Sequence, residues 1–299
     1  MGLVSVLLVC ALAAGAIVGL AWWRTPPAAN VGPLVHERLA ATDGRFVSLS
    51  DVAPVMREAV VAAEDERFYR HHGIDSLGLA RALAYDVSHL SIQQGASTIT
   101  EQLAKVLYLN GNDHSLWRKV EDAVLAAKIE RHATKEQVLE AYLNTVYFGN
   151  RDSGIRQASE GYFGVPPSAL TLAQASMLAG TIQAPSLFDP FTDPAMARQR
   201  QAEVLEAMVR NGFITETEAY GAVRARLPLT GGRAVPADAD AQLVFPSLLA
   251  VPVLLVGLGA IAAACALLLL RRRWRPLVWI GAGLFAVGLL VVARSLHAA

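Results

Sequence analysis

Thr98-Ile99-Thr100-Glu101-Gln102-Leu103-Ala104-Lys105 places a hydroxyl three residues ahead of a carboxylate, at the head of an apolar pattern. That pairing satisfies two backbone N–H groups that a helix start leaves orphaned, so the stretch predicts a capped helix. The same signature returns at Thr134/Gln137, Thr171/Gln174 and Thr215/Glu218, each before an apolar pattern. Pro54 opens a further helix, with Val55, Met56, Ala59, Val60 and Ala63 on one stripe. Two-residue alternation is scarce, and only Arg45-Phe46-Val47-Ser48-Leu49 hints at a short strand. The expected fold class is all-α.

Around this helical window the composition changes. The 299-residue chain is 54% apolar and only 17% charged, against about 25% charged for a soluble domain. Gly2–Trp23, Leu243–Leu270 and Leu277–Ala293 contain no charge. A spanning helix needs about 20 apolar residues, so the expected organisation has one transmembrane helix before the folded domain and two after it. The boundaries are 1–23 for a signal anchor, 24–44 for a linker, 45–227 for the domain and 228–242 for a second linker. Spans at 243–270 and 277–294 then flank a basic loop at 271–276. A retained anchor fits the first segment better than a cleaved signal peptide, because it lacks Lys and Arg before a long apolar run. Arg271-Arg272-Arg273-Trp274-Arg275 places that loop in the cytoplasm and the domain on the extracytoplasmic face. All 26 acids lie between Glu37 and Asp240, so the domain is mildly acidic. No nucleic acid is expected as a partner. Cys10 and Cys265 sit in apolar runs and support neither a disulfide framework nor a metal cluster.

Four stretches of the domain bear on chemistry. Glu64-Asp65-Glu66 follows the Pro54 stripe directly, ahead of Phe68, His71 and Gly73. Three adjacent acids often form only a solvated helix face. Here the triplet follows the apolar stripe directly, so one carboxylate is expected against the core, where burial raises a carboxyl pKa toward the range of a general base. Gly95-Ala96-Ser97-Thr98 opens the capped helix and suits either a phosphate at its N-terminus or simple capping. Lys105 on that helix is one of only four lysines. Arg118-Lys119-Val120-Glu121-Asp122 opens a helix on which Leu116, Trp117, Val120, Val124 and Ala127 form one stripe. Arg118 and Asp122 lie opposite, beside Leu125 and Ile129, so this helix is expected to be mostly buried. Lys135 to Gly149 reads as a structural helix with a glycine stop, its polar residues serving packing.

The order of these stretches resembles the peptidoglycan glycosyltransferases of family 51. The match runs through Glu-Asp-x-x-Phe-x-x-His-x-Gly, Gly-x-Ser-Thr-Ile-Thr-x-Gln-Leu-x-Lys, Arg-Lys, and Leu-Glu-x-Tyr-Leu-Asn-x-x-Tyr-Phe-Gly. It continues through Ala158–Gly164, Leu178-Ala179-Gly180, Gln183–Ser186 and Arg200, covering roughly residues 45–225. The resemblance implies a lysozyme-like helical fold. It also implies polymerisation of lipid II into glycan strands at the outer face of the bacterial cytoplasmic membrane. With no Ser-x-x-Lys or Lys-Thr-Gly signature for a transpeptidase, the chain looks monofunctional. Glu64 matches the general base that deprotonates the acceptor 4-hydroxyl, and Asp122 matches the family's second catalytic carboxylate. Lys105 and Arg118 fall where relatives hold the donor pyrophosphate, and the adjacent Lys119 is a further substrate-binding position. Asp65, Phe68, His71, Ser97, Thr98 and Gln102 fall on other substrate-binding positions. Residues 76–93 correspond to a membrane-dipping part, with Leu77, Leu79 and Leu83 exposed.

Several positions depart from the family pattern. Glu101 replaces the first of two glutamines, Val106 replaces an asparagine, and His114 replaces an arginine. Asp122 is one methylene shorter than the usual glutamate. The expected partners are lipid II, nascent glycan strands, membrane lipid and cell-wall synthesis proteins. No cofactor is required by the residues; a divalent cation (Mg or Mn) beside the pyrophosphate is the one candidate, and no metal-ligand cluster has recognisable spacing. The alternatives are a non-catalytic lipid II or glycan-binding scaffold and a glycan-cleaving, lysozyme-like enzyme.

Overall fold

All four threonine caps form. Thr98, Thr134, Thr171 and Thr215 each accept from the backbone N–H three residues on, while Glu101, Gln137, Gln174 and Glu218 reach back to the cap N–H. These caps start helices α4 (Ile99–Tyr108), α6 (Lys135–Thr145), α8 (Leu172–Thr181) and α10 (Glu216–Arg224). The remaining helices are α1 (Leu3–Arg24), α2 (Val31–Ala41), α3 (Pro54–Glu64), α5 (Leu116–Ile129), α7 (Ile155–Phe163) and α9 (Pro194–Arg210). This computed structural model describes residues 3–79, 97–109, 115–232, 234–236 and 243, within a unit running from Met1 to Leu243. The expected spans at 243–270 and 277–294, apart from Leu243, lie outside the described residues, as do the basic loop, Leu83 and His114.

The expectation of a mostly helical domain holds. Two antiparallel ribbons interrupt it: β1 (Tyr147–Gly149) with β2 (Asp152–Ser153), and β3 (Leu227–Pro228) with β4 (Ala234–Val235). Helix α8 lies at the centre, with every residue from Ala173 to Thr181 buried. It packs against α3 and α9, while α4 packs between α5 and α6. Fully buried Tyr142, Tyr162, Phe68 and Phe148 fill the space around these helices. Such side chains dominate core energetics, each burying about 150–250 Å².

Two expectations change. Residues 24–44 are not simply a linker, because α2 packs on α6 with Val35 and Leu39 buried. Its first residue lacks a side-chain cap bond, so the sequence carries no start signal there. Residues 45–49 form no strand. Instead Asn144 of α6 accepts from Val47 N–H at 2.8 Å and donates to Val47 C=O at 2.8 Å, as a neighbouring strand would. Glu140 accepts from Leu49 N–H at 2.7 Å. The polar residues of α6 thus hold an extended segment, in keeping with a packing role.

α1 is helical across the first uncharged segment, and its described side chains from Val9 to Leu20 are exposed. Side chains 3–8 and Cys10 are not described, and among the described residues no helix is long and apolar enough to cross a membrane. Leu77 and Leu79 are 56% and 45% exposed, as the sequence suggested for that stretch.

Candidate active site

Glu64 is the last residue of α3, and the chain turns at Asp65. Gln102 of α4 donates from Nε2 to Glu64 Oε2 at 2.7 Å, and Tyr142 of α6 donates its hydroxyl to Gln102 Oε1 at 2.8 Å. The tyrosine fixes which way the amide points, and the amide grips one carboxylate oxygen. The other oxygen, Oε1, is buried with no hydrogen-bond partner among the described residues. Burial pushes the Glu64 carboxyl up from its usual value, opposed by the Gln102 bond and by the charge of Arg200 from α9. Burial also holds the Tyr142 hydroxyl protonated, well above its usual range, so it stays a donor.

Asp65, next in sequence, does something different. Both of its oxygens lie 2.9 Å from Nε2 of His71, and Oδ2 accepts from Ile99 N–H at 3.1 Å. Both side chains are buried. They join the end of α3 to the start of α4 and thereby set Glu64 against Gln102. Phe68 is fully buried under the Lys135 ammonium, 4.4 Å from its ring centre. Gly73 has φ +90° and lies against Ala126, whose carbonyl a Cβ would meet at 2.8 Å. This close approach explains the glycine that ends the first motif.

At the start of α4, Thr98 donates to Gly73 C=O at 2.6 Å. The N–H groups of Thr98, Ile99 and Glu101 are bound by Glu101, Asp65 and Thr98 side chains. A phosphate cradle at this helix terminus is therefore closed off, and capping is what Thr98 does. Ser97 is half-buried and precedes the cap.

The cations gather one turn further on. Lys105 is three residues beyond Gln102 on α4, about 4.5 Å along the helix axis. Arg118 of α5 is buried, with Nε 3.4 Å from Asp122 Oδ1. Its Nε and Nη2 have no hydrogen-bond partner among the described residues. Asp122 is raised by burial, and Arg118, Lys105 and Lys119 all pull it back down. Three cations thus surround one carboxylate, with Lys105 and Lys119 exposed. Glu101 faces the same group. Burial is the main cause that pushes its carboxyl up to about 7, and Asp122 adds to it. The α5 face carrying Arg118, Leu125 and Ile129 is buried as expected, whereas Leu116 is 87% exposed.

The site joins Glu64, Gln102, Lys105, Arg118, Lys119 and Asp122 across α3, α4 and α5. Asp65, Phe68, His71 and Thr98 stand behind it as buried supports. Sequence reasoning placed Tyr142 in a packing role and gave Arg200 no part in the site. A buried tyrosine hydroxyl needs a polar partner, which was the available signal for Tyr142; Arg200 reaches Glu64 from a distant helix and had none. Among the described residues no group of three or more His, Cys, Asp or Glu converges on a metal position. Glu101 and Asp122 do not suffice for one.

This constellation sets a buried carboxylate at the end of α3 and, on α4 and α5, three cations around Asp122. The family model described as Transglycosylase matches residues 32–209, more than half of the chain. Penicillin-binding protein 1A of Neisseria flavescens is 44% identical over 170 residues, covering 57% of this chain and 21% of that protein. Penicillin-binding protein 1A of Escherichia coli (strain K12) is 37% identical over 232 residues, covering 71% of this chain and 27% of that one. The crystal structure of penicillin-binding protein 1A from Haemophilus influenzae aligns with TM-score 0.30 and 29% identity, over 36% of this chain and 15% of that one. The chain belongs to the transglycosylase family, the family 51 glycosyltransferase domain of class A penicillin-binding proteins. It spans about a fifth to a quarter of the length of those relatives.

Proposed function

We propose that the chain polymerises lipid II into glycan strands by inverting glycosyl transfer. Glu64 takes the proton from the acceptor sugar's 4-hydroxyl. The freed oxygen attacks the anomeric carbon of the donor from the face opposite the undecaprenyl pyrophosphate, which departs with the bonding pair. Lys105, Arg118 and Lys119 hold the departing pyrophosphate. Such preorganised charge is usually the largest catalytic contribution, while the base adds about 10²–10⁴-fold. Asp122 keeps Arg118 oriented, and the Gln102 bond, with the charge of Arg200, opposes the rise that burial imposes on Glu64.

The observation that carries this reading is the free pair of atoms at the two ends of the site. Among the described residues, Glu64 Oε1 is a buried acceptor without a donor and Arg118 Nη2 a buried donor without an acceptor. Buried polar atoms are rarely left so; a hydroxyl and a phosphate oxygen would complete them. The uncharged run Gly2–Trp23 supports anchoring in the cytoplasmic membrane, with the domain on the extracytoplasmic side beside its lipid-linked substrate. Nascent glycan and cell-wall synthesis proteins are the expected partners there.

Purified full-length chain incubated with lipid II tests this. Lengthening glycan strands and released undecaprenyl pyrophosphate are expected. Lipid II that is bound and never consumed would make the chain a scaffold. Soluble muropeptides released from sacculi would make it a glycan-cleaving enzyme. Either result contradicts the proposal.

A further inference from the structure

Away from the site, α1 ends against α5 in a cavity of about 280 Å³ lined by Trp22, Thr25, Pro27, Lys128, Arg131 and His132. Lys128 closes the end of α1. Its ammonium donates to the carbonyls of Trp22, Thr25 and Pro26 at 2.7, 2.8 and 3.3 Å and to Thr25 Oγ1 at 2.9 Å. A cation on the last carbonyls complements the negative end of the helix dipole and fixes α1 to the domain. Arg131 lies 5.1 Å and Lys128 4.9 Å from the Trp22 ring centre, and Arg24 lies 5.9 Å from that of Trp117. Lys128 is consumed by this arrangement, whereas Arg131 and His132 are exposed. Among the described residues no carboxylate pairs with Arg24, Arg131 or His132.

The position matters as much as the charge. The uncharged run of α1 stops at Trp23, and Arg24 is the first charge in the chain. Trp22 and Trp23 are 39% and 83% exposed. Tryptophans that end an apolar helix sit at headgroup level, and a basic pocket beside such a helix end offers positive charge to a lipid phosphate. We infer that this cavity binds the phosphate of an anionic phospholipid, with Arg131 and His132 as its ligands and Trp22 as its wall. The lipid would hold the domain at a set height above the bilayer. This inference rests on the anchoring of α1 in a membrane.

The test uses the full chain reconstituted in vesicles of phosphatidylcholine alone and in vesicles with one-fifth phosphatidylglycerol. The lipid retained after gentle detergent extraction is then counted by native mass spectrometry. One tightly held phosphatidylglycerol is expected, enriched about tenfold over phosphatidylcholine. Each cation near a membrane surface favours an anionic lipid by about fivefold, so Arg131→Gln should lower that enrichment by about that factor. Arg131 is exposed and paired with no acid, so the variant should fold and should polymerise lipid II in detergent as the wild type does. Equal retention of the two lipids would overturn the inference, and so would enrichment unchanged by Arg131→Gln. Displacement of the lipid by millimolar inorganic phosphate would reassign the cavity to a free anion and overturn the lipid assignment. If the chain fails to float with either vesicle, the anchoring reading itself falls, a failure distinct from loss of lipid preference alone.

Discussion

On the α3 side of the site, Glu64 is tied through Gln102 to Tyr142 and backed by the Asp65–His71 pair, so its position is imposed by the core. On the α5 side, Lys105 and Lys119 are exposed, and Arg118 Nε meets Asp122 at 3.4 Å while its Nη2 has no hydrogen-bond partner among the described residues. The first region is finished before substrate arrives, whereas the second has charge in place and bonds still to make. A proton acceptor must have its pKa set by burial and fixed neighbours, which only packing supplies. A pyrophosphate clamp must open and refill at each turnover, so exposed lysines and a half-satisfied arginine suit it. The departures at Glu101 and Asp122 fall in this second region.

The contrast can be broken at either end. Glu64→Gln should reduce polymerisation by about 10²–10⁴-fold with unchanged far-ultraviolet circular dichroism, since the amide can still meet Gln102. Arg118→Ala should cost about 10²-fold in turnover, and Arg118→Lys should recover only part of it, because lysine cannot fork across two phosphate oxygens; steady-state kinetics on lipid II checks both. Asp65→Ala should act on stability, removing about 3–5 kcal/mol in urea denaturation, because His71 loses a buried partner and Ile99 N–H its acceptor. Such a result would place Asp65 with the supports, not the reacting groups.

Two smaller effects sharpen the comparison. Tyr142→Phe frees the Gln102 amide to turn, so Glu64 loses its donor part of the time and its carboxyl rises further. The acid limb of the rate profile should move to higher pH, with a several-fold loss near its midpoint. Glu101 titrates at about 7, so above that pH it adds a negative charge beside the cations. Glu101→Gln keeps the capping box and should raise activity a few-fold above pH 7, with little change below pH 6. The same group predicts a stability trend. Its folded-state pKa lies above the usual 4.5 of the unfolded chain, so its contribution is complete below 4.5 and is lost as pH rises through 7. Thermal melts of wild type and Glu101→Gln should diverge over that window, with the wild type falling.

Much of this arrangement was legible because it is local. Threonine-to-Glu or Gln spacing announced four helix starts, and an apolar stripe ending in Glu64 announced a carboxylate against the core. What escaped depends on distance in the chain. Asn144 replaces a strand neighbour for Val47 across 97 residues, so Arg45–Leu49 alternated like a strand without having one beside it. Helix α2 lacked a capping side chain, and its partner helix α6 lies far along the sequence. The charge of Arg200 acts on Glu64 from α9, and its side chain passes close over Gly180 of α8, where a Cβ would meet the Arg200 Cγ at 3.0 Å. No spacing rule could reveal that approach. Conversely, Asp65, His71 and Thr98 stood in the motif beside Glu64 yet fold inward, because turn geometry at Asp65 sends adjacent side chains in different directions.

The pH dependence of glycan-strand formation under single-turnover conditions, measured on wild type and Glu64→Gln together, tests the central claim most directly. The account predicts an acid limb in the wild type with a midpoint above the ordinary 4.5 of a glutamate, and its absence from the slow residual activity of the variant. An identical limb in both proteins would show that another group accepts the proton.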